Sequence, residues 1–200
     1  MAVAILVPVK SFAAAKRRLA DVLGPAERRA LARAMAARVL AAAAPLPTFV
    51  VCDDATVAEW ATTSGAGVLW RPGHGLNGAV TDGVSSLDGA GFEHVVVVHA
   101  DVPLAHELGA LVVPGTVTIV PDRRDDGTNA IALPAGCGFR FRYGPASAAR
   151  HREEAARLGL PSIVRRDERL GLDVDLADDL VHPLVQEVLP WRPTSPANRR

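Results

Sequence analysis

The chain predicts a single-domain α/β fold, with a mostly parallel central sheet flanked by helices on both faces, and three observations predict it. Val95, Val96, Val97 and Val98 are consecutive β-branched residues; too few for a helix and polar on neither side, they read as a strand buried on both faces of a sheet. Short apolar runs alternate along the chain with stretches of helical period, the pattern of βα units. A length of 200 residues with 49% hydrophobic content suits one well-packed domain and is short for two.

Each element follows in turn. Residues 2–7 are apolar but lack a basic leader, are stopped by Pro8 and are far too short to span a bilayer. They read as a first strand rather than an export signal, so the expected compartment is the cytoplasm. The strand runs out through Pro8-Val9-Lys10 into a cationic loop, 11–19, that holds Lys16, Arg17 and Arg18. Residues 27–44 place Leu31, Met35, Val39 and Ala42 at helical spacing, an amphipathic helix on the sheet. A second strand at 48–52 closes at Asp53-Asp54, a helix follows at 55–63, and 68–70 makes a third strand.

Gly73, Gly75 and Gly78 then satisfy GxGxxG ahead of a helix at 79–87. They follow the third strand, whereas a dinucleotide fingerprint follows the first, so a nicotinamide or flavin site is disfavoured. Beyond the valine run, 105–112 reads as helix and 116–120 as strand. The turn-rich loop 121–129 leads to a strand at 130–133, and polar loops of this kind at a sheet end commonly carry function. Gly144-Pro145-Ala146-Ser147 reads as a helix start with Pro145 at the first helical position, and that helix runs through Arg157. A short strand at 163–164 and a helix at 177–188 complete a domain spanning 1–189, and 190–200, rich in Pro, Asn and Arg, reads as a disordered tail.

Several classes of function are disfavoured. Lys and Arg number 22 and Asp and Glu 22, so no global charge draws the chain to nucleic acid or to an anionic membrane. Cys52 and Cys137 are isolated in sequence, which argues for buried reduced thiols rather than a disulfide or a structural zinc site. GxxxxGK[ST] and GxSxG are absent. The six histidines show no ligand spacing and read as structural or exposed.

The residues left for chemistry are acids and bases at strand ends. Asp101 ends the valine strand just before Pro103, at the sheet edge where ligands bind in open α/β folds. It either holds a metal or a ligand hydroxyl, or caps a helix that begins near Leu104. Asp173 and Asp175 flank Val174, so in an extended segment both carboxylates share one face. Two such acids repel unless something positive lies between them. With Asp101 they supply three hard oxygen donors, which suits Mg²⁺; the alternative is an acidic turn ahead of a helix. Lys10, Lys16, Arg17 and Arg18 can neutralise a triphosphate, or they form a solvated basic face.

Taken together, Pro8-Val9-Lys10 with Ala15-Lys16-Arg17-Arg18-Leu19, Gly75-Leu76-Asn77, Asp101-Val102-Pro103, Asp122-Arg123 with Asp126-Gly127-Thr128-Asn129-Ala130, Tyr143-Gly144-Pro145 with Ser147, and Leu172-Asp173-Val174-Asp175 resemble one family. It is the 2-phospho-L-lactate or phosphoenolpyruvate guanylyltransferases of coenzyme F-420 biosynthesis. The resemblance implies a nucleotidyltransferase fold of the nucleotide-diphospho-sugar transferase type, with Mg²⁺ as cofactor and GTP and a small phosphorylated acid as partners. It implies Asp101 and Lys16 as catalytic residues and Asp101, Asp173 and Asp175 as metal ligands. Thr128, Gly144 and Ser147 would contact the acid, aided by backbone N–H groups at the helix start. Lys10, Lys16 and Arg17 would hold the triphosphate, and Gly75, Leu76 and Asn77 would lie against the nucleotide. The sequence departs from the family's usual pattern at Ala146, where glycine is common, and at His99, where leucine is common. A homodimer is left open. The competing readings are a glycosyltransferase that grips a nucleotide sugar with Asp173-Val174-Asp175, and a nucleotide-binding module without catalysis.

Overall fold

The computed structural model describes residues 1–189. Its centre is the valine strand, observed as β4 (His94–Val98), with every residue buried. Successive side chains of a strand point to opposite faces. Val96 and Val98 accordingly join one apolar cluster, with Val39, Val57 and Trp60, while Val95 and Val97 join another, with Val80, Val84, Leu87 and Ala155. The first cluster lies under helices α1 (Pro25–Ala43) and α2 (Ala55–Thr63), the second under α3 (Gly75–Gly89) and α4 (Ser147–Arg157).

Around β4 run β1 (Val3–Pro8), β2 (Thr48–Cys52), β3 (Gly67–Trp70), β5 (Val117–Pro121), β6 (Thr128–Pro134) and β7 (Ser162–Val164), in the order β3-β2-β1-β4-β6-β5-β7. The β3-β2, β2-β1, β1-β4 and β5-β7 pairings are parallel. β6 is antiparallel to both β4 and β5, so the sheet is parallel in two blocks joined by one reversed strand. That reversal brings Thr128, at the start of β6, to the same edge as the ends of β1, β4 and β5. The chain proceeds outward from β1 through β2 to β3, then returns to β4 on the other side of β1. The crevice between β1 and β4 is therefore the switch point at which open α/β sheets bind ligands.

Four expectations are corrected. The helix foreseen at 105–112 is a single 3-10 turn, Leu108–Leu111. Glu107 sits in the left-handed region at φ 45°, and Pro114 disfavours helical backbone at Val113. The helix foreseen at 177–188 is two short ones, α5 (Ala177–Leu180) and α6 (Pro183–Val188), because Pro183 cannot continue the first and instead starts the second. Pro145 lies outside α4, which begins at Ser147 after Ala146 at φ 56°. α3 begins earlier than foreseen, so Gly75 and Gly78 belong to its first turn. Cys52 and Cys137 are free, as expected, but only Cys52 is buried; Cys137 is half-buried. Among the described residues no helix is long and apolar enough to cross a membrane. The expected tail at 190–200 lies outside the described residues.

Candidate active site

The loop after β1 and the end of β4 face each other across the crevice. Lys16 is held at φ 53° between two 3-10 turns, and its Nζ donates to Asp101 Oδ2 at 2.6 Å and to Asp175 Oδ1 at 2.7 Å. Its side chain is only 9% exposed. Burial alone would lower the pKa of this ammonium, but the charges and hydrogen bonds of Asp101 and Asp175 outweigh burial and raise it. Burial likewise works against ionised Asp101, and Lys16 more than offsets it, so the carboxyl lies below its usual range. The chain itself thus places a positive charge between Asp101 and Asp175, rather than between Asp173 and Asp175 as expected. No helix begins near Leu104, which removes the capping role for Asp101.

The segment carrying Asp173 and Asp175 is pinned from several sides. Val174 is fully buried in a third cluster with Leu19, Leu104 and Leu180, and its N–H donates to Asp101 O at 3.1 Å. Buried Asp179 accepts from the N–H of Asp175 at 2.8 Å and of Leu176 at 2.7 Å, and is paired with Arg123 and Arg124. Asn129 donates to Leu170 O at 3.0 Å. Burial, followed by the charges of Asp101 and Asp175, pushes the Asp173 carboxyl up to about 6.

On the far side of Asp101 lies a cavity of about 300 Å³ lined by Thr128, Tyr143, Gly144, Ser147 and five aspartates, Asp101, Asp122, Asp126, Asp173 and Asp175, with Arg18. The predicted substrate contacts Thr128, Gly144 and Ser147 do meet here. Three of the N–H groups at the helix start, expected to receive a carboxylate, have partners within the chain. Ala146 has no capping side chain, and Asp126 from the loop before β6 supplies the cap: its Oδ1 accepts from Ala146 N–H at 2.9 Å and its backbone O from Ala148 N–H at 3.2 Å. Ser147 N–H donates to Gly144 O at 3.1 Å. The hydroxyls of Thr128 and Ser147 line the same cavity as further donors toward a ligand.

On the near side lies a cavity of about 290 Å³ lined by Val9, Lys10, Phe12, Lys16, Met35 and Leu76 among others. Leu76 and Gly75 also line a smaller space of about 130 Å³ with Lys10, Asp53 and Arg71. At φ 61° Gly75 adopts a backbone that a side chain would strain. Asn77, expected against the nucleotide, is spent otherwise: its Oδ1 accepts from Tyr143 N–H at 2.7 Å and its Nδ2 donates to Tyr143 O at 3.4 Å, fastening α3 to the strand-like segment before α4. Arg17 is exposed and lines neither large cavity. Arg18 instead reaches Asp175 at 3.3 Å.

His99, Tyr143 and His151 were not foreseen. His99 lines both large cavities, its ring centroid 4.8 Å from that of Tyr143. His151 stands one helical turn after Ser147, and that i, i+4 spacing was the signal available in the sequence.

A divalent cation is tested against this donor set. Among the described residues no three His, Cys, Asp or Glu side chains already form a cage for one, since Lys16 stands between Asp101 and Asp175. Yet Asp101 Oδ1 and Asp173 Oδ1 are buried without a hydrogen-bond partner, as are His99 Nε2 and Tyr143 Oη around the same cavity. Buried carboxylate oxygens left unpartnered are costly and suit a hard cation. Five aspartates against one arginine also repel an anionic ligand unless positive charge accompanies it. The residues fit the ion.

Residues 3–186 match the family described as "Guanylyl transferase CofC like". The chain belongs to the CofC-like guanylyltransferase family. A phosphoenolpyruvate guanylyltransferase of Sphaerobacter thermophilus is 36% identical over 184 residues, covering 88% of this chain and 89% of the relative. One from Rubrobacter xylanophilus is 33% identical over 202 residues, covering 96% and 98%. Among solved structures, a nucleotidyl transferase from Methanothermobacter has a TM-score of 0.67 at 15% identity, covering 94% of this chain and 98% of that one. A Desulfovibrio desulfuricans protein described as a nucleotide-diphospho-sugar transferase has a TM-score of 0.74 at 21% identity, covering 90% and 85%. These two likenesses support the fold. Family membership makes this CofC-like chain a nucleotidyltransferase.

Proposed function

We propose that the chain transfers GMP from GTP to the phosphate of phosphoenolpyruvate, releasing pyrophosphate, as a step of coenzyme F-420 biosynthesis in the cytoplasm. The observation that carries the reading is the placement of Asp101 and Lys16 on the divide between an apolar, lysine-bearing cavity and an acidic, hydroxyl-bearing one. The first suits a base and triphosphate, the second a small phosphorylated acid.

In the reaction a phosphate oxygen of the acid attacks the α-phosphorus of GTP. The bond from that phosphorus to the bridging oxygen breaks, and pyrophosphate leaves with the electron pair. Such transfers are carried by positioning and by neutralisation of charge rather than by a covalent intermediate. Lys10 and Lys16 bind the triphosphate, and Leu76 closes on the base from the start of α3. Thr128 and Ser147 hold the acid in place. Asp101, Asp173 and Asp175 would hold Mg²⁺, which when bound offsets the negative charge of the phosphates and of the acidic wall.

The test is pyrophosphate production from GTP and Mg²⁺ with phosphoenolpyruvate, 2-phospho-L-lactate and 3-phosphoglycerate supplied in turn. Turnover with phosphoenolpyruvate above the other two is expected. Pyrophosphate with none of the acids, or sugar transfer from a nucleotide sugar, rejects the proposal.

A further inference from the structure

His151 is fully buried on α4 and does not line the acceptor cavity, yet it is hydrogen-bonded to Thr128, which does. Its Nε2 lies 3.0 Å from the backbone N of Arg142, and its Nδ1 lies 3.1 Å from Thr128 Oγ1. A backbone N–H can only donate, so Nε2 must be the unprotonated nitrogen. In a neutral imidazole the proton is then on Nδ1, which donates to Thr128. Burial, followed by the nearby His99 and Arg142 and opposed by Glu154, lowers the pKa of His151 to about 4, so the ring is neutral at physiological pH. A flipped ring would put carbon atoms in the places of both nitrogens and lose both bonds, and the rings of Phe139 and Tyr143 pack beside it with centroids 5.7 and 4.9 Å away.

The consequence is a count of protons. Thr128 and Ser147 have hydroxyl oxygens 3.2 Å apart, both residues buried. Together they own two hydroxyl protons, and one serves the bond between them. If His151 Nδ1 accepted, the second proton would be turned toward it and none would remain. Because Nδ1 donates, the second proton is free to point into the cavity.

We propose that His151 is a positioning residue which, by donating from Nδ1 to Thr128, makes the Thr128–Ser147 pair a hydrogen-bond donor toward the anionic acceptor. The proposal rests on the reading of that cavity as the acceptor site. It gives the acidic pocket a neutral, directional contact that selects a carboxylate or phosphate oxygen over a hydroxyl needing an acceptor.

Two variants separate the roles of the two ring nitrogens. In His151→Gln the amide reaches the place of Nε2 and keeps the Arg142 contact, but nothing donates to Thr128. The KM for the phosphorylated acid should rise about tenfold, the worth of one hydrogen bond to a charged group, with the KM for GTP unchanged. In His151→Asn the amide nitrogen reaches the place of Nδ1, and most of the acceptor affinity should return. Nitrogen-15 spectra of histidine-labelled wild-type protein at pH 7 should show a neutral ring protonated on Nδ1, a readout independent of any variant's folding. An Nε2-protonated or charged ring overturns the proposal, as does an unchanged acceptor KM in His151→Gln while Thr128→Val raises it. If Thr128→Val leaves the acceptor KM unchanged, the acceptor site itself is misassigned and the proposal falls with it.

Discussion

The two halves of the crevice share one sheet edge and nearly the same volume, about 290 and 300 Å³, but differ in what they ask of a ligand. The half beside β1 is lined mainly by apolar side chains, with Lys10 and Lys16, and suits an aromatic base and phosphates. The half beside β6 and α4 presents five aspartates with the hydroxyls of Thr128, Tyr143 and Ser147, and repels an anion until that charge is offset. Lys16 belongs to both: it lines the first half and neutralises Asp101 and Asp175 of the second. The difference teaches that the two halves are not similar pockets. Under the proposed function the first would take the nucleotide, and the second would take the acid once a cation offsets its carboxylates.

The comparison is broken most severely at Asp101. Asp101→Asn should lower turnover by at least about a thousandfold, as loss of a principal electrostatic contact does, while the fold is retained because Lys16 keeps Asp175 as its partner. Near-normal activity with Mg²⁺ would remove the acidic half from the chemistry. Lys16→Ala should also abolish turnover and, because it leaves buried Asp101 without its counter-charge, cost about 3 kcal/mol in chelator as measured by urea unfolding. Millimolar Mg²⁺ should restore part of that loss, whereas an effect identical with and without the ion would separate Lys16 from the cation site.

Finer changes sharpen the contrast. Thr128→Val should raise the KM for the phosphorylated acid between about tenfold and a hundredfold while leaving the KM for GTP alone, which steady-state kinetics with each substrate varied will read. Asp173→Asn has the smallest effect and the opposite sign. With its folded pKa raised to about 6 from 3.8, Asp173 favours folding while protonated, and that contribution is lost as pH rises through about 6. The amide removes the penalty, so in chelator at pH 7 the variant should melt about 2–4 °C higher than wild type, the equivalent of about 1 kcal/mol in a partly solvated site. Below pH 4 the gain should vanish.

How much of this was legible in the sequence depends on how local each feature is. β4 and Asp101 could be read because four valines ending at an acid need no partner to be understood. α2 was bounded at 55–63 because Asp54 caps it locally, accepting from Thr56 and Val57. The shared face of Asp173 and Asp175 followed from the alternation around buried Val174. What failed depends on distant partners. The antiparallel course of β6 is decided by its neighbours in the sheet, and the cap of α4 comes from Asp126, 20 residues earlier. Asn77 looked like a ligand contact, and only the fold shows Tyr143, 66 residues away, occupying it. The break at Pro183 was a local signal that the reading of one helix over 177–188 missed, since proline starts a helix more readily than it continues one.

Binding of Mn²⁺, followed by the electron paramagnetic resonance of the free ion, tests the central claim most directly because it needs no turnover. In the presence of GTP, wild-type protein should take up the ion saturably, and Asp101→Asn and Asp173→Asn should each weaken that uptake by tenfold or more. Equal uptake by all three proteins would contradict an acidic half completed by a cation.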